Sequence, residues 1–368
     1  MPLFSATQHP VFRYSVLLMC LALVMLPLGA QAADKTSAGS FTFAWQTGAD
    51  PTKVPQAQGE YEKATGWNIN WKPFESGAAI ISALASGDVQ VADLGSGPLA
   101  AATSRDLPIT TFLIVNQLGS AESLVVSNKS GITDPQQLKG KTIATPFVST
   151  SHFSLLGALK HWGIDRRDVD IVNMNPPSII AAHKRGDIDG AYVWAPALNQ
   201  LTPTGHILTN SDQVATWGAP TFEVWVARKD FAEQHPEVLR QLAGVSLDYF
   251  NRYNRDPSAW NATSTQAKQI ARLIGVSAND VPGLLAGAHY PDKNAQLSKR
   301  YLGGGTAQQL KKTAAFIYGL GTIPAVLDDY SPYVDSSFIK ALPDSTETQP
   351  AATHSASSFS SNNRSTHE

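Results

Sequence analysis

From residue 40 onward the chain moves between two hydrophobic rhythms. Phe41–Trp45 alternates apolar and polar residues with the period of a strand. Gln56–Thr65 takes helical spacing, and Gly66 offers a stop. Asn68–Trp71 predicts a second strand. Ser76 then precedes the run Ala78-Ala79-Ile80-Ile81-x-Ala83-Leu84-Ala85, with Ser86-Gly87 behind it: an N-cap, a helix and a C-terminal glycine. Val89–Leu94 predicts a third strand, and Thr142–Pro146 with Phe153–Trp162 a later strand and helix. Such alternation argues for α/β lobes, each with a parallel sheet covered on both faces. Phe222–Ala227 is a further strand, and Asp230-Phe231-Ala232-Glu233 opens a helix through about Tyr249. Helical stretches follow at Ser264–Leu273, Ala278–Ala286 and Thr306–Tyr318.

One stretch is echoed later in the chain. Ile80-Ile81, Ala83, Gly87-Asp88-Val89, Ala92, Leu94 and Pro98 recur as Ile179-Ile180, Ala182, Gly186-Asp187-Ile188, Ala191, Val193 and Pro196. Each copy runs helix, Gly-Asp turn, buried strand, short loop, then a proline suited to the next helix start. Chance similarity between two amphipathic units and two lobes of related architecture both fit the echo. With two lobes, the chain leaves the first near Leu124–Val126 and returns near Glu223–Val226, and two such crossings make a hinge. Loops at the carboxyl ends of the strands would then line one cleft, where open α/β sheets gather ligands.

The ends have a different composition. Residues 1–32 carry only Arg13, an apolar run Val16–Leu28, and Ala30-Gln31-Ala32 at a cleavage position, which reads as a secretory signal peptide. Residues 343–368 are mostly Ser, Thr, Asn, His and Pro and read as a disordered tail. The expected organisation is lobe 1 from 40–124 and 224–342, with lobe 2 from 125–223. Net charge is −2, or −3 once Arg13 leaves with the leader, so nothing attracts nucleic acid or anionic lipid. Cys20, the sole cysteine, sits inside the leader after Met19, a poor residue for a lipoprotein cut. The mature chain therefore has no thiol for disulfides, nucleophilic catalysis, iron–sulfur clusters or thiolate zinc.

The candidate chemistry is that of binding. Gly95-Ser96-Gly97-Pro98-Leu99-Ala100 matches a dinucleotide fingerprint, but Pro98 removes an amide and no acid follows about 20 positions on. What remains is free backbone N–H at a helix start, an anion site without basic side chains. Gln46-Thr47-Gly48, Glu75-Ser76-Gly77 and Ser149-Thr150-Ser151-His152 share that character, and none of these loops holds Lys or Arg. Amides and hydroxyls without a cation suit a singly charged oxyanion better than a free phosphate. Each loop taken alone also reads as an ordinary N-cap. Glu122 and Glu223 fall at the two crossings; they face either solvent or a cation in the cleft, since a desolvated carboxylate needs a partner. Trp194 ends the second Gly-Asp strand, as core packing or as an indole N–H or π-face for a ligand. No GxSxG, HExxH or GxxxxGK[ST] pattern occurs. His152 reads as a structural hydrogen-bonder rather than a base.

Leu94-Gly95-Ser96, the run from Pro146 to Leu156, the run from Arg185 to Pro196, Trp217-Gly218-Ala219-Pro220-Thr221 and Asp329-Tyr330-Ser331-x-Tyr333-Val334 carry a resemblance. They are similar to the taurine-binding members of the nitrate/sulfonate/taurine substrate-binding family of bacterial ABC importers, from about Phe41 to Val334. The resemblance implies a periplasmic, monomeric, non-enzymatic binding protein of the two-lobed type II fold. It would carry no cofactor or metal and deliver taurine or a close aminoalkanesulfonate to a membrane permease. By the same resemblance, Gln46, Ser76, Ser96, Thr150 and Ser151 would surround the sulfonate with Trp194 beside it, and Glu122 and Glu223 would face the amine. Three features depart from the family pattern: Gly97 in place of a serine, Glu223 in place of a shorter aspartate, and the polar tail. The alternatives are a binder of another alkanesulfonate, a sensor or adhesion module using the tail, and an enzyme of the thiamine-pyrimidine-synthase-like branch.

Overall fold

The computed structural model describes residues 38–343; the expected signal peptide and the tail after Pro343 lie outside the described residues. Eleven strands run in chain order as β1 (Ser40–Trp45), β2 (Asn68–Pro73), β3 (Val91–Gly95), β4 (Ile109–Leu118), β5 (Glu122–Ser127), β6 (Thr142–Thr145), β7 (Asp170–Asn173), β8 (Gly190–Trp194), β9 (Gly205–Asn210), β10 (Phe222–Arg228) and β11 (Ala288–His289). They form a six-stranded sheet of order β11-β4-β10-β3-β1-β2 and a five-stranded sheet of order β7-β6-β8-β5-β9. The chain passes from the first sheet to the second between β4 and β5, at 119–121, and returns between β9 and β10. Glu122–Leu124 therefore pairs within the second sheet, and Phe222–Glu223 within the first.

Neither sheet is purely parallel, which corrects the expectation from the strand–helix alternation. β1 pairs parallel with β2 and β3, and β6 with β7 and β8, but β10 and β5 run antiparallel to their neighbours. The crossings force this. Each parallel strand ends at the cleft, whereas β5 and β10 begin there, Glu122 opposite Trp194 and Glu223 opposite Gly95. A strand entering at the floor of the cleft must run away from it.

The helices that matter for the site are α1 (Gly77–Ser86), α2 (Ser96–Thr103), α3 (Thr150–His161), α4 (Pro176–Arg185), α5 (Ser211–Thr216), α6 (Pro236–Arg255) and α7 (Gly305–Tyr318). Ser76 caps α1 by accepting from the Ala79 amide at 3.3 Å, and Gly87 ends it at φ 86°. Two long expected helices are broken. Gln56–Thr65 divides at Gly59, whose φ of 66° reverses the chain between Lys53–Gln58 and Glu60–Thr65. The helix expected from Asp230 divides at His235, because a residue before proline is disfavoured in the helical region and Pro236 starts α6 afresh. Ala278–Ala286 shrinks to Val281–Ala286.

Each lobe has its own core. In the first, Phe43 meets Trp225 edge-on at 4.8 Å, with Phe112 and Leu113 buried beside them. In the second, Leu124, Val126 and Leu155 fill one face of the sheet and Val125, Ala191 and Val193 the other. Fully burying a side chain of this size stabilises by about 1.5–3 kcal/mol. Such cores hold the strand ends, and the loops leaving them, in fixed positions.

Candidate ligand-binding site

A cavity lies between the lobes, at the carboxyl ends of β1, β3, β6 and β8. Its wall includes Gln46 after β1, Gly77 at the start of α1, Gly95 and Pro98 at the start of α2, Ser149 and Thr150 at the start of α3, and Trp194 at the end of β8. Three helices thus aim their N-termini at one space. The first amides of a helix have no partner inside it, and no side chain caps α2. Together with the positive end of the peptide dipole they favour an anion there.

The lobes meet across this space. A side chain on Gly97 would come within 2.8 Å of the Ser149 carbonyl, and one on Gly95 within 2.8 Å of Thr150 Cγ2. Asn175, the N-cap of α4, donates to Glu75 at 2.9 Å from the opposite lobe.

The expected site residues divide into two groups. Gln46, Glu122, Thr150, Trp194 and Glu223 line the cavity. Ser76, Ser96 and Ser151 stand one residue behind the wall, next to Gly77, Gly95 and Thr150. Ser76 is occupied as a cap, and the buried Ser96 hydroxyl accepts from the Phe222 amide at 3.4 Å. Ser151 donates to Glu122 Oε1 at 2.7 Å. His152 is held as a neutral ring: its Nδ1 accepts from the Val148 amide at 3.4 Å, it stacks on Phe147, and burial lowers its pKa to about 4.

The two acids at the crossings have opposite surroundings. Glu122 is buried under hydroxyls: Thr150 and Ser151 donate to Oε1 at 2.5 and 2.7 Å, and Ser211 and Thr221 to Oε2 at 2.8 and 3.5 Å. Burial raises its pKa while those four donors pull it back down. The Glu223 carboxylate makes no hydrogen bond among the described residues and sits over Gly95, 3.1 Å from where a Cβ there would be. Its pKa is pushed well above the ordinary carboxylate range, first by burial and then by the charges of Asp93 and Glu122. A carboxylate so placed can pair with a cation.

Four residues that sequence reasoning did not single out complete the floor. Asn116 of β4 and Asp50 and Asp93 line the cavity, and Lys53 lies beneath them. Lys53 Nζ is 2.9 Å from Asp50 and 3.6 Å from Asp93, and its pKa is raised because those charges outweigh the cost of burial. A usable signal existed for Asp93, an acid in the strand Val91–Gly95 whose every residue is buried. Asn116 has none, since the buried strand that carries it shows no alternation in the sequence.

Residues 54–252 match the NMT1/THI5-like family, and the chain is 49% identical over 319 residues to the taurine-binding periplasmic protein of Escherichia coli (strain K12). That match spans 87% of this chain and 97% of the relative. The chain belongs to the NMT1/THI5-like family. The two-lobed α/β fold agrees with solved structures. The alkanesulfonate-binding protein SsuA from Xanthomonas axonopodis pv. citri, bound to MOPS, superposes with a TM-score of 0.66 at 20% identity, over 78% of this chain and 95% of that one. The desulfurization enzyme DSZB shares the fold at a TM-score of 0.55 and 14% identity, over 82% of this chain and 98% of that one. Membership of the NMT1/THI5-like family therefore fixes architecture, and the choice between binder and enzyme rests on the site.

Proposed function

We propose that the protein is a periplasmic, non-enzymatic substrate-binding protein that captures taurine or a close aminoalkanesulfonate. It would act as a monomer, leave its signal peptide behind, and hand the ligand to the membrane permease of an ABC importer. The observation that carries this is the mixed wall: three helix N-termini free of basic side chains, beside a carboxylate with no partner. A zwitterion needs one of each, and a sulfonate is a singly charged oxyanion of the kind that amides hold. The E. coli relative carries taurine binding in its name, which supports the same ligand class.

In this reading Gln46, Trp194 and the amides at the starts of α1, α2 and α3 hold the sulfonate. Ser76, Ser96 and Ser151 contribute through the helix starts they shape, and Thr150 through its amide, because its hydroxyl belongs to Glu122. Glu223 faces the amine, and Glu122 organises the wall of the second lobe while adding negative potential. The strand crossings act as a two-segment hinge, so a ligand touching both lobes favours the closed state.

Calorimetry with taurine, ethanesulfonate, nitrate and sulfate tests the proposal. Taurine should bind far more tightly than the other three and be recovered unchanged after incubation. Equal affinity for sulfate or ethanesulfonate would sink the amine half of the reading, and chemical conversion of taurine the non-enzymatic half.

A further inference from the structure

The floor of the first lobe holds more carboxylate than one ammonium partner requires. Asp93 and Gly95 lie two apart on β3, and Glu223 pairs with Gly95 on one side and with Asn116 of β4 on the other. Because side chains alternate along strands, Asp93, Glu223 and Asn116 share one face of the sheet at its cleft edge. Asp93 is only 6% exposed and Asn116 5%, yet among the described residues Asp93 Oδ1 and Asn116 Oδ1 have no hydrogen-bond partner, and both residues line the cavity. Buried polar atoms are rarely left unpaired without a reason.

The Asp50–Lys53 pair explains why Asp93 is held there without being used up. Asp50 takes Lys53 at 2.9 Å and is itself fixed by Thr52, whose amide donates to Oδ1 at 2.8 Å. Asp93 meets Lys53 only at 3.6 Å and through Oδ2, which leaves Oδ1 without a partner among the described residues, on a residue that lines the cavity. If Asp93 served only to neutralise Lys53, its closer approach and both oxygens would be expected on the lysine side.

We propose that Asp93 is a second specificity-determining carboxylate, sharing the cationic end of the ligand with Glu223 while Asp50 and Lys53 hold it in place. The inference rests on the aminosulfonate reading above. An ammonium carries three N–H donors, and Glu223, Asp93 Oδ1 and Asn116 Oδ1 supply three acceptors on one face. Glu122, with both oxygens already accepting from hydroxyls, is not needed for the count. The charged groups around the position are Asp50, Lys53, Glu122 and Glu223, three acids and one cation. In the ligand-free protein burial keeps the Asp93 and Glu223 carboxyls above their ordinary range, so an arriving ammonium favours their ionised forms and displaces protons to solvent.

The test is calorimetry on the full mature chain with taurine and ethanesulfonate, in two buffers of different ionisation enthalpy. Asp93→Asn should weaken taurine at least tenfold, leave ethanesulfonate within about threefold, and reduce the protons released when taurine binds. Equal losses for both ligands, or unchanged proton release, would mark Asp93 as merely structural and overturn the inference. If that variant does not fold, Glu223→Gln decides. With Asp93 still present it should keep a several-fold preference for taurine and some proton release, and loss of both would overturn the inference. Failure of the parent to prefer taurine at all would instead refute the aminosulfonate reading on which Asp93's role depends.

Discussion

The walls of the cleft present two carboxylates in contrasting states. On the second lobe, Glu122 binds the start of α3, the start of α5 and the returning crossing together through Thr150, Ser151, Ser211 and Thr221. On the first, the Glu223 carboxylate lies over Gly95, and among the described residues neither it nor Asp93 Oδ1 nor Asn116 Oδ1 has a hydrogen-bond partner. The first arrangement completes its hydrogen bonds inside the protein and so builds a rigid wall. The second leaves them incomplete, and in the proposed function the ligand's ammonium completes them. Both pKa values are raised, so a raised pKa alone does not separate a structural acid from a binding one. The partner list does.

The strongest way to break the comparison is Glu223→Gln. If this carboxylate meets an ammonium, its loss costs taurine about 2–5 kcal/mol, or roughly 30- to 5000-fold in affinity, and spares ethanesulfonate. A change below about 0.5 kcal/mol would place Glu223 among ordinary surface substitutions. Removing the other acid should act on the fold instead. Glu122→Ala leaves four hydroxyls without their charged acceptor and should cost at least about 3 kcal/mol of stability. Thermal unfolding should then fall by roughly 5 °C for a fold of this size. An unchanged melting temperature would mean the hydroxyls are not tied to it.

pH sharpens the same contrast. Asp93, Glu122 and Glu223 have raised pKa values, so the ligand-free native state holds protons that ordinary carboxyls have released. Their contribution to stability falls as pH rises through the window above the ordinary carboxylate range, and an ammonium offsets that loss. His152 and His183, buried and lowered, work in the opposite direction on stability, so affinity is the cleaner reading. Taurine should tighten by roughly tenfold, about 1.4 kcal/mol, between pH 5 and pH 8, while ethanesulfonate stays level or weakens. Parallel profiles for the two ligands would detach the acids from the amine.

The smallest expected effect lies at the rim. Glu75→Ala removes an exposed interlobe hydrogen bond from Asn175 and should shift binding by less than about 1 kcal/mol. Small-angle scattering should show a slightly larger ligand-free particle that still compacts with taurine. A loss of compaction would move the closing interaction from the floor to the rim.

How much of this was legible before folding varies by physical cause. Elements with punctuation were readable: Ser76 and Gly87 bound α1 in the sequence as in the structure, and the helical stretch expected at Ser264–Leu273 forms as Thr265–Ile274. The ten-residue strand β4 carries no alternation, because its first eight residues are all buried, and it passes without a signal. With it went Asn116. Glu122 and Glu223 were legible as acids at strand starts, but their division of labour was not, since Ser211 and Thr221 are 89 and 99 residues from Glu122. The Asp50–Lys53–Asp93 group joins a short helix to a distant strand, a proximity no local pattern encodes.

Gly97 has a consequence of its own. Its backbone is ordinary helix, so nothing about its conformation demands glycine; the Ser149 carbonyl across the cleft does. The serine that the family resemblance leads one to expect there would act as a spacer between the lobes. Glycine removes the spacer, and the two walls can approach until the backbones touch. In the proposed function the position would act as a gauge for ligand length: the closer the walls come, the fewer carbons fit between an oxyanion and a cation. Under the proposed function, a hydrogen at this point would favour a short molecule, and long alkanesulfonates would have to hold the cleft ajar.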